Sequence, residues 1–203
     1  MSSSDMSGDT DSETLDSKLS DSARTVLLEG PPTDRRRSLC GSLHGIEGKT
    51  DVLVVSYTRR PSAYAAELDD EAVGEVIVIA VGDTVPSAEE SVTTHQVSAP
   101  ADLTRLGIVI DDVLDGRDQV SVCFDSVTTT LQYADYTDVY EFLHALTGRL
   151  RAVGARTHVH INPLAHDEQV LAGLATLFDA RVDISGDALS VASRPLLADG
   201  RNV

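Results

Sequence analysis

The sequence predicts an α/β domain with three layers, in which helices cover both faces of a mainly parallel β-sheet. Short apolar runs alternate with segments of helical periodicity through most of the 203 residues, a pattern typical of parallel strands joined by helices. The runs are apolar at nearly every position, as expected for strands buried on both faces. Two final short runs flank Gly186 and predict an antiparallel hairpin at the sheet edge.

The first half of the chain predicts three strands and two short helices. The strands are expected at 25–29, 51–57 and 75–81, and the helices at about 36–44 and 61–68. Gly30-Pro-Pro32 ends the first strand, and Pro61 is suited to the first turn of a helix. Residues 86–99 predict a loop with a short strand at 94–97.

The second half repeats the alternation. Its strands are expected at 119–125 and 156–161, and its helices begin near Asp102, near Asp135 or Thr137, and after Asp167. The middle helix has the strongest apolar stripe, and Gly154 ends it. The edge hairpin is expected at 180–184 and 188–192.

The two ends of the chain differ from the middle in composition. Residues 1–22 contain eight serines and six acidic residues, and they offer little to bury. We expect a disordered, acidic, Ser-rich tail there, because burial cannot offset the entropy of ordering it. Residues 23–195 form one predicted domain, and 196–203 a flexible tail.

Acidic residues outnumber basic residues by 33 to 16, giving a net charge of −17. Aspartates number 23 against 10 glutamates, and only Lys18 and Lys49 are lysines. This composition resembles proteins of halophilic archaea, in which carboxylates keep the surface hydrated and salt screens their repulsion. An ordinary acidic mesophilic protein is the alternative. In either case nucleic acid binding is unlikely, since the field repels phosphate.

The two cysteines, Cys40 and Cys123, have apolar neighbours in the sequence and no CxxC partner. We interpret them as small buried hydrophobic residues in a reducing cytosol. The sequence contains neither a signal peptide pattern nor an apolar run long enough to cross a bilayer. We therefore expect a cytoplasmic protein without a membrane association.

Three segments, in order, resemble the nucleotide-binding motifs of RecA/KaiC-type ATPases. They are Val26-Leu-Leu-Glu-Gly-Pro-Pro-Thr-Asp-Arg-Arg-Arg-Ser38, Val52-Leu-Val-Val-Ser-Tyr-Thr58 and Val120-Ser-Val-Cys-Phe-Asp-Ser126. The first is similar to the P-loop (Walker A), the second to the strand that ends in a catalytic Glu, and the third to Walker B. Over residues 25–184 the chain looks most like an uncharacterised haloarchaeal family of divergent RecA/KaiC-like domains with degenerate Walker motifs.

The resemblance implies a vestigial nucleotide site formed by six residues, Gly30, Arg35, Arg36, Arg37, Ser38 and Asp125. Relative to the P-loop pattern, Arg35 replaces the second Gly, Arg36 the Lys and Arg37 the Ser/Thr, while Ser38 comes one position late. Thr58 replaces the catalytic Glu. Without the P-loop hydroxyl, Mg²⁺ lacks a usual ligand, and without the Glu no residue activates the attacking water. We therefore expect no catalytic residue and no cofactor, with ATP and Mg²⁺ as the alternative.

Three other features have both a functional and a structural interpretation. The cluster Arg35–Arg37 can bind an anion at a helix N-terminus or pair with nearby carboxylates. His158 and His160 alternate on one strand and can ligate zinc, although polar strand-end side chains are the favoured interpretation and no metal site is predicted. The third feature is the group Tyr133, Tyr136 and Tyr140, which could form a partner surface, although packing in the core and at its boundary is the favoured interpretation.

The sequence thus favours a non-catalytic RecA/KaiC-like domain with a regulatory or signalling role through protein contacts. One alternative is a nucleotide-binding or weakly active ATPase that uses Arg36 and Asp125. Another is a sensor of an anionic ligand that uses the Arg35–Arg37 loop. The expected partner is an unidentified protein or a second copy of the chain.

Overall fold

Eight strands form one sheet in the computed structural model, which describes residues 5–20, 22–44, 49–68, 73–83 and 92–193. In chain order they are β1 (Thr25–Glu29), β2 (Thr50–Ser56), β3 (Val73–Val81), β4 (Thr93–Val97), β5 (Val120–Asp125), β6 (Arg156–Ile161), β7 (Ala180–Asp183) and β8 (Ser190–Ser193). Across the sheet the order is β4-β3-β2-β5-β6-β1-β7-β8. All neighbours are parallel except β7 and β8, so the predicted mainly parallel sheet with an antiparallel edge hairpin is confirmed.

Helices cover both faces of the sheet. They are α1 (Asp5–Lys18), α2 (Asp34–His44), α3 (Pro61–Glu67), α4 (Leu103–Leu114), α5 (Val127–Thr130), α6 (Tyr136–Ala152) and α7 (Glu168–Ala175), with a 3-10 turn at Pro163–Ala165. Leu27 packs with residues of α4 and α6, whereas Val26 and Leu28 pack with residues of α1 and α2. Successive residues of β1 therefore contact opposite layers. None of the helices described is long and apolar enough to span a bilayer.

Local chemistry fixes where the longer helices begin and end. The side chain of Asp102 accepts a hydrogen bond from the backbone N–H of Arg105 and caps α4. Leu106 and Ile110 lie one turn apart on the buried face of that helix. Gly154 follows α6 with a φ of 71°, a conformation that glycine adopts without strain. Both predicted helices are confirmed.

The N-terminal segment differs from the expectation of disorder. Asp5–Lys18 forms the helix α1, and Leu15 in it is only 1% exposed. Leu15 packs with Leu39 and Leu43 of α2 on the outer side of the sheet. Leu15 and the ion pair between Asp11 and Arg35 hold this polar segment against α2. The composition of the segment does not reveal these contacts.

Two other expectations need comment. The short strand expected at 94–97 is present as β4, which pairs parallel with the edge strand β3. Sequence periodicity gave no sign of the four-residue helix α5. Residues 86–91 of the loop expected at 86–99, and the tail at 196–203, lie outside the described residues.

Candidate functional site

Asp125 ends β5 at the middle of the sheet, where its carboxylate is held by side chains from three elements. It is 4% exposed. Nη2 of Arg36, in the first turn of α2, lies 3.2 Å from Oδ1 of Asp125. The hydroxyl of Tyr64, in α3, donates a hydrogen bond to Oδ2 at 3.2 Å. The structure therefore brings together two of the predicted site residues, Arg36 and Asp125.

His160 is the third partner of this carboxylate. Its Nδ1 lies 3.4 Å from Oδ1 of Asp125, an ion-pair distance without the alignment of a hydrogen bond. Burial alone would raise the pKa of Asp125, but His160 and Arg36 outweigh it and lower the pKa to about 2. Burial would likewise lower the pKa of His160, yet Asp125 and Cys40 raise it to about 9. Asp125 is thus an ionised, fully paired carboxylate.

Gly30 and Arg35, the first two residues of the predicted phosphate loop, both contact other parts of the fold. A Cβ on Gly30 would clash with the side chain of Ile184. Glycine is therefore needed where the chain leaves β1 and passes Ile184. Arg35 forms an ion pair with Asp11 of α1, with Nε 2.6 Å from Oδ2. It also donates to the carbonyl oxygen of Ile184 at 3.3 Å. Arg35 therefore joins α1 to the chain beyond β7.

The last two residues of the predicted loop lie on the outer surface of α2. Arg37 forms ion pairs with Asp34, one turn earlier, and with Glu67 of α3 at 3.8 Å. Ser38 is exposed. Neither side chain is among the partners of Asp125.

A second group of side chains lies next to Asp125 under α2. Cys123 of β5 and His158 of β6 are partners in the strand register, and His160 lies two residues further on the same side of β6. Cys40 projects onto them from α2. Its Sγ is 3.6 Å from Sγ of Cys123 and 2.9 Å from Nε2 of His158, and Nε2 of His160 is 3.7 Å from Sγ of Cys123.

His44 extends this Cys/His cluster (Cys40, Cys123, His158 and His160) toward the amino ends of the strands. Its Nε2 lies 4.0 Å from Sγ of Cys40, and its Nδ1 lies 2.7 Å from the hydroxyl of Ser121. Its ring meets that of His158 edge-on at 4.7 Å between centroids. Among the described residues, no group forms a hydrogen bond with Nδ1 of His158.

The surroundings change the acidity of these groups. A hydrogen bond with Cys123, followed by the effect of His158, lowers the pKa of Cys40 well below that of an ordinary thiol. The same bond and burial raise the pKa of Cys123. Burial lowers the pKa of His158 to about 4. The cluster therefore combines a readily ionised thiol with a neutral imidazole.

These contacts correct our interpretation of the cysteines as small hydrophobic residues. Cys123 is buried and Cys40 half-buried, but both contact imidazole rings rather than apolar side chains alone. The alternating His158 and His160 were a visible signal, and so was the four-residue spacing between Cys40 and His44 on one helix face. The pairing of β5 with β6, which brings them together, was not visible in the sequence.

The chain is thus an α/β domain in which side chains of β5, β6 and α2 form a polar centre enclosed between the sheet and α2. The chain belongs to a family of unknown function, DUF7504, whose model matches residues 23–184. No curated protein matches the chain.

Two solved structures of archaeal proteins are similar to this fold. One, from Pyrococcus horikoshii OT3, is 14% identical, with a TM-score of 0.59, and the match covers 92% of this chain and 93% of that one. The other is the flagellar accessory protein FlaH from Methanocaldococcus jannaschii, also 14% identical, with a TM-score of 0.47 and coverage of 83% and 75%. The first similarity shows a common fold, and neither identifies a ligand.

Proposed function

We propose that this chain is a RecA/KaiC-like domain with degenerate Walker motifs that does not hydrolyse ATP and acts through protein contacts in a regulatory or signalling role. The observation that supports this most is the buried ion pair between Arg36 and Asp125. In the comparison with RecA/KaiC-type ATPases, Arg36 corresponds to the P-loop Lys and Asp125 to the Walker B Asp. An arginine that neutralises the aspartate is not available to bind a phosphate.

The other positions of the loop support the same proposal. In an active P-loop, successive backbone N–H groups surround the phosphates and a hydroxyl ligates Mg²⁺. Here Arg37, at the hydroxyl position, pairs with Asp34 and Glu67, and Arg35 pairs with Asp11. These ion pairs also argue against an anion sensor, because a ligand would first have to displace the carboxylates.

Two exposed tyrosines, in the segment that follows β5, support a role in protein binding. Tyr133, after α5, is 51% exposed, and Tyr136, at the start of α6, is 37% exposed. Tyrosines are enriched where proteins bind one another, since a large apolar ring is combined with a hydroxyl. The partner is a different protein or a second copy of the chain.

The proposal includes a salt-rich archaeal cytoplasm as the place of action. The net charge of −17 supports the salt-rich environment.

Calorimetric titration with ATP and Mg²⁺ in molar KCl tests the proposal. We expect no binding heat and no phosphate release above that of buffer. Micromolar binding that is lost in Arg36→Ala and Asp125→Ala, and retained in the exposed control Arg105→Ala, would establish a nucleotide-binding protein instead. Metal-independent binding of inorganic phosphate that is lost in Arg35→Ala or Arg37→Ala would establish the anion sensor.

A further inference from the structure

We propose that Cys40, Cys123, His158 and His160 form a closed Zn²⁺ site that fastens helix α2 to the centre of the sheet. Each residue offers one donor atom, and the four donor atoms all lie within 4.8 Å of one another. No other group of three or more such residues in the described parts of the chain is arranged in this way. Two thiolates and two imidazoles are a donor set of structural zinc sites.

The distances between the donors fit a single tetrahedral ion. With Zn–S near 2.3 Å and Zn–N near 2.0 to 2.1 Å, two sulfurs are about 3.8 Å apart, and a sulfur and a nitrogen about 3.6 Å. The two Sγ atoms are 3.6 Å apart, and Sγ of Cys123 is 3.7 Å from Nε2 of His160. Both distances already match those of a zinc tetrahedron.

The third pair of donors is closer together than a zinc tetrahedron requires. Sγ of Cys40 and Nε2 of His158 are 2.9 Å apart, a hydrogen-bond distance between two groups that both ligate metals. Zinc binding replaces such protons, because thiols and imidazoles must be deprotonated to ligate. The pair then has to open by about 0.7 Å, a shift that the half-buried Cys40 on α2 can make.

The chemistry of the donors selects zinc over the common hard cations. Mg²⁺ and Ca²⁺ require oxygen ligands, and the nearby carboxylate of Asp125 lies behind His160 rather than among the donors. Tetrahedral sites with two sulfurs and two nitrogens favour Zn²⁺. Four protein ligands leave no position open, so the site is structural rather than catalytic.

The second layer of contacts supports the same assignment. Nδ1 of His160, opposite the nitrogen that points to Cys123, lies 3.4 Å from Oδ1 of Asp125. A carboxylate behind a metal-bound histidine is a recurrent arrangement that orients the ring and strengthens the ligand. His44 lies beside Cys40 with its own Nδ1 on Ser121, outside the four donors.

A bound ion also explains why such polar groups are buried together. His158 is 0% exposed, His160 3% and Cys123 1%. Buried polar groups are costly unless they are satisfied. Coordination would satisfy both Nε2 atoms and both sulfurs, and it would join β5, β6 and α2 at one point.

Metal analysis of the full-length chain tests the proposal directly. The protein is produced in zinc-supplemented medium and purified in molar KCl with a phosphine reductant and no chelator. We expect one zinc ion per chain and, after exchange with Co²⁺, the visible absorption of a tetrahedral cobalt–thiolate complex. A folded wild-type protein with two free thiols, no zinc and no cobalt spectrum would overturn the proposal. A Cys40–Cys123 disulfide under these conditions would overturn it as well.

Variants separate ligation from general stability. Cys123→Ser and His160→Gln should lose the stoichiometric zinc and the cobalt spectrum, whereas His95→Gln, on the exposed edge strand β4, should keep both. Asp125→Asn should keep one zinc but bind it about 10- to 100-fold more weakly. A chelator should lower the Tm of the wild type and leave that of Cys123→Ser unchanged. Equal zinc content in Cys123→Ser and the wild type would contradict the assignment.

Discussion

The guanidinium of Arg36 and the carboxylate of Asp125 form an ion pair 3.2 Å apart that is buried under α2. Breaking such a pair from one side leaves a charge without its partner in a place from which water is excluded. We expect Arg36→Met to lower the free energy of unfolding by about 3 kcal/mol in urea titrations. The double variant Arg36→Met/Asp125→Asn should recover part of that loss.

Arg105→Met, at an exposed position on α4, is the matched control and should change stability by less than about 0.5 kcal/mol. If Arg36→Met were no more harmful than this control, the pair would contribute nothing to the stability of the domain.

The close approach of Ile184 to Gly30 predicts a steric cost for any side chain there. A Cβ on Gly30 would press on Cγ1 of Ile184, which is too near the backbone to move freely. We expect Gly30→Ala to lower the free energy of unfolding by about 1 to 3 kcal/mol. Gly148→Ala is the control: its Cβ would meet nothing within 4 Å, and it lies inside α6, where alanine should stabilise the helix. Equal effects of both substitutions would contradict this.

The helix α1 should contribute to stability through Leu15. This side chain is 1% exposed and packs against α2, so Leu15→Ala should reduce the free energy of unfolding by about 2 to 4 kcal/mol. It should also speed proteolysis within α1. Glu13→Ala, at an exposed position of the same helix, should do neither. A Leu15→Ala variant as stable as the wild type would show that α1 is not docked in solution.

Asp179 should make stability depend on acidic pH. Its carboxylate accepts hydrogen bonds from the backbone N–H and the hydroxyl of Thr25, both at 2.9 Å, and lies 3.1 Å from Nη2 of Arg151. Burial would raise the pKa of Asp179, but these partners lower it below its ordinary value. The stabilisation is therefore complete above the unfolded-state pKa of about 3.9 and is lost as the pH falls through the lower native pKa.

Urea titrations of Asp179→Asn across this range provide the measurement. At pH 7 the variant should be less stable than the wild type by about 1 to 3 kcal/mol, and the difference should shrink as the pH falls below about 4. The control Asp112→Asn, at an exposed position of α4, should change stability at pH 7 by less than about 0.5 kcal/mol. A difference that stays constant down to acid unfolding would mean that the contacts of Asp179 do not depend on its charge.

The net charge of −17 predicts a strong response to salt. Molar KCl shortens the screening length to about 3 Å, so repulsion between surface carboxylates should weaken and the Tm should rise from low to molar salt. Scanning calorimetry at several KCl concentrations measures this. A Tm that is flat or falling would contradict adaptation to a salt-rich cytoplasm.

Most strands and helices could be predicted because their apolar patterns are local. The runs that became β2 and β5 are buried along nearly their whole length, and a parallel central strand has that pattern whatever its partners are. The helix α1 could not be predicted, since its stability depends on a surface that α2 supplies.

The candidate site was predictable only in part, for the same reason. The P-loop resemblance pointed to Arg36 and Asp125, which do meet. The Cys/His cluster depends on the register that sets Cys123 beside His158 and on the docking of α2 that adds Cys40. Both are long-range properties, which a single sequence does not specify.

The order of the strands has a consequence for how the protein is made. Strand β1 is synthesised before both of its neighbours in the sheet, β6 and β7. Until these strands follow, the backbone N–H and C=O groups along both edges of β1 have no partner in the sheet, while β2 and β3 can already pair with each other. β1 can therefore join the sheet only after β6 or β7 has been synthesised. A nascent chain that stops before β6 leaves β1 unpaired, with apolar side chains that chaperones can bind.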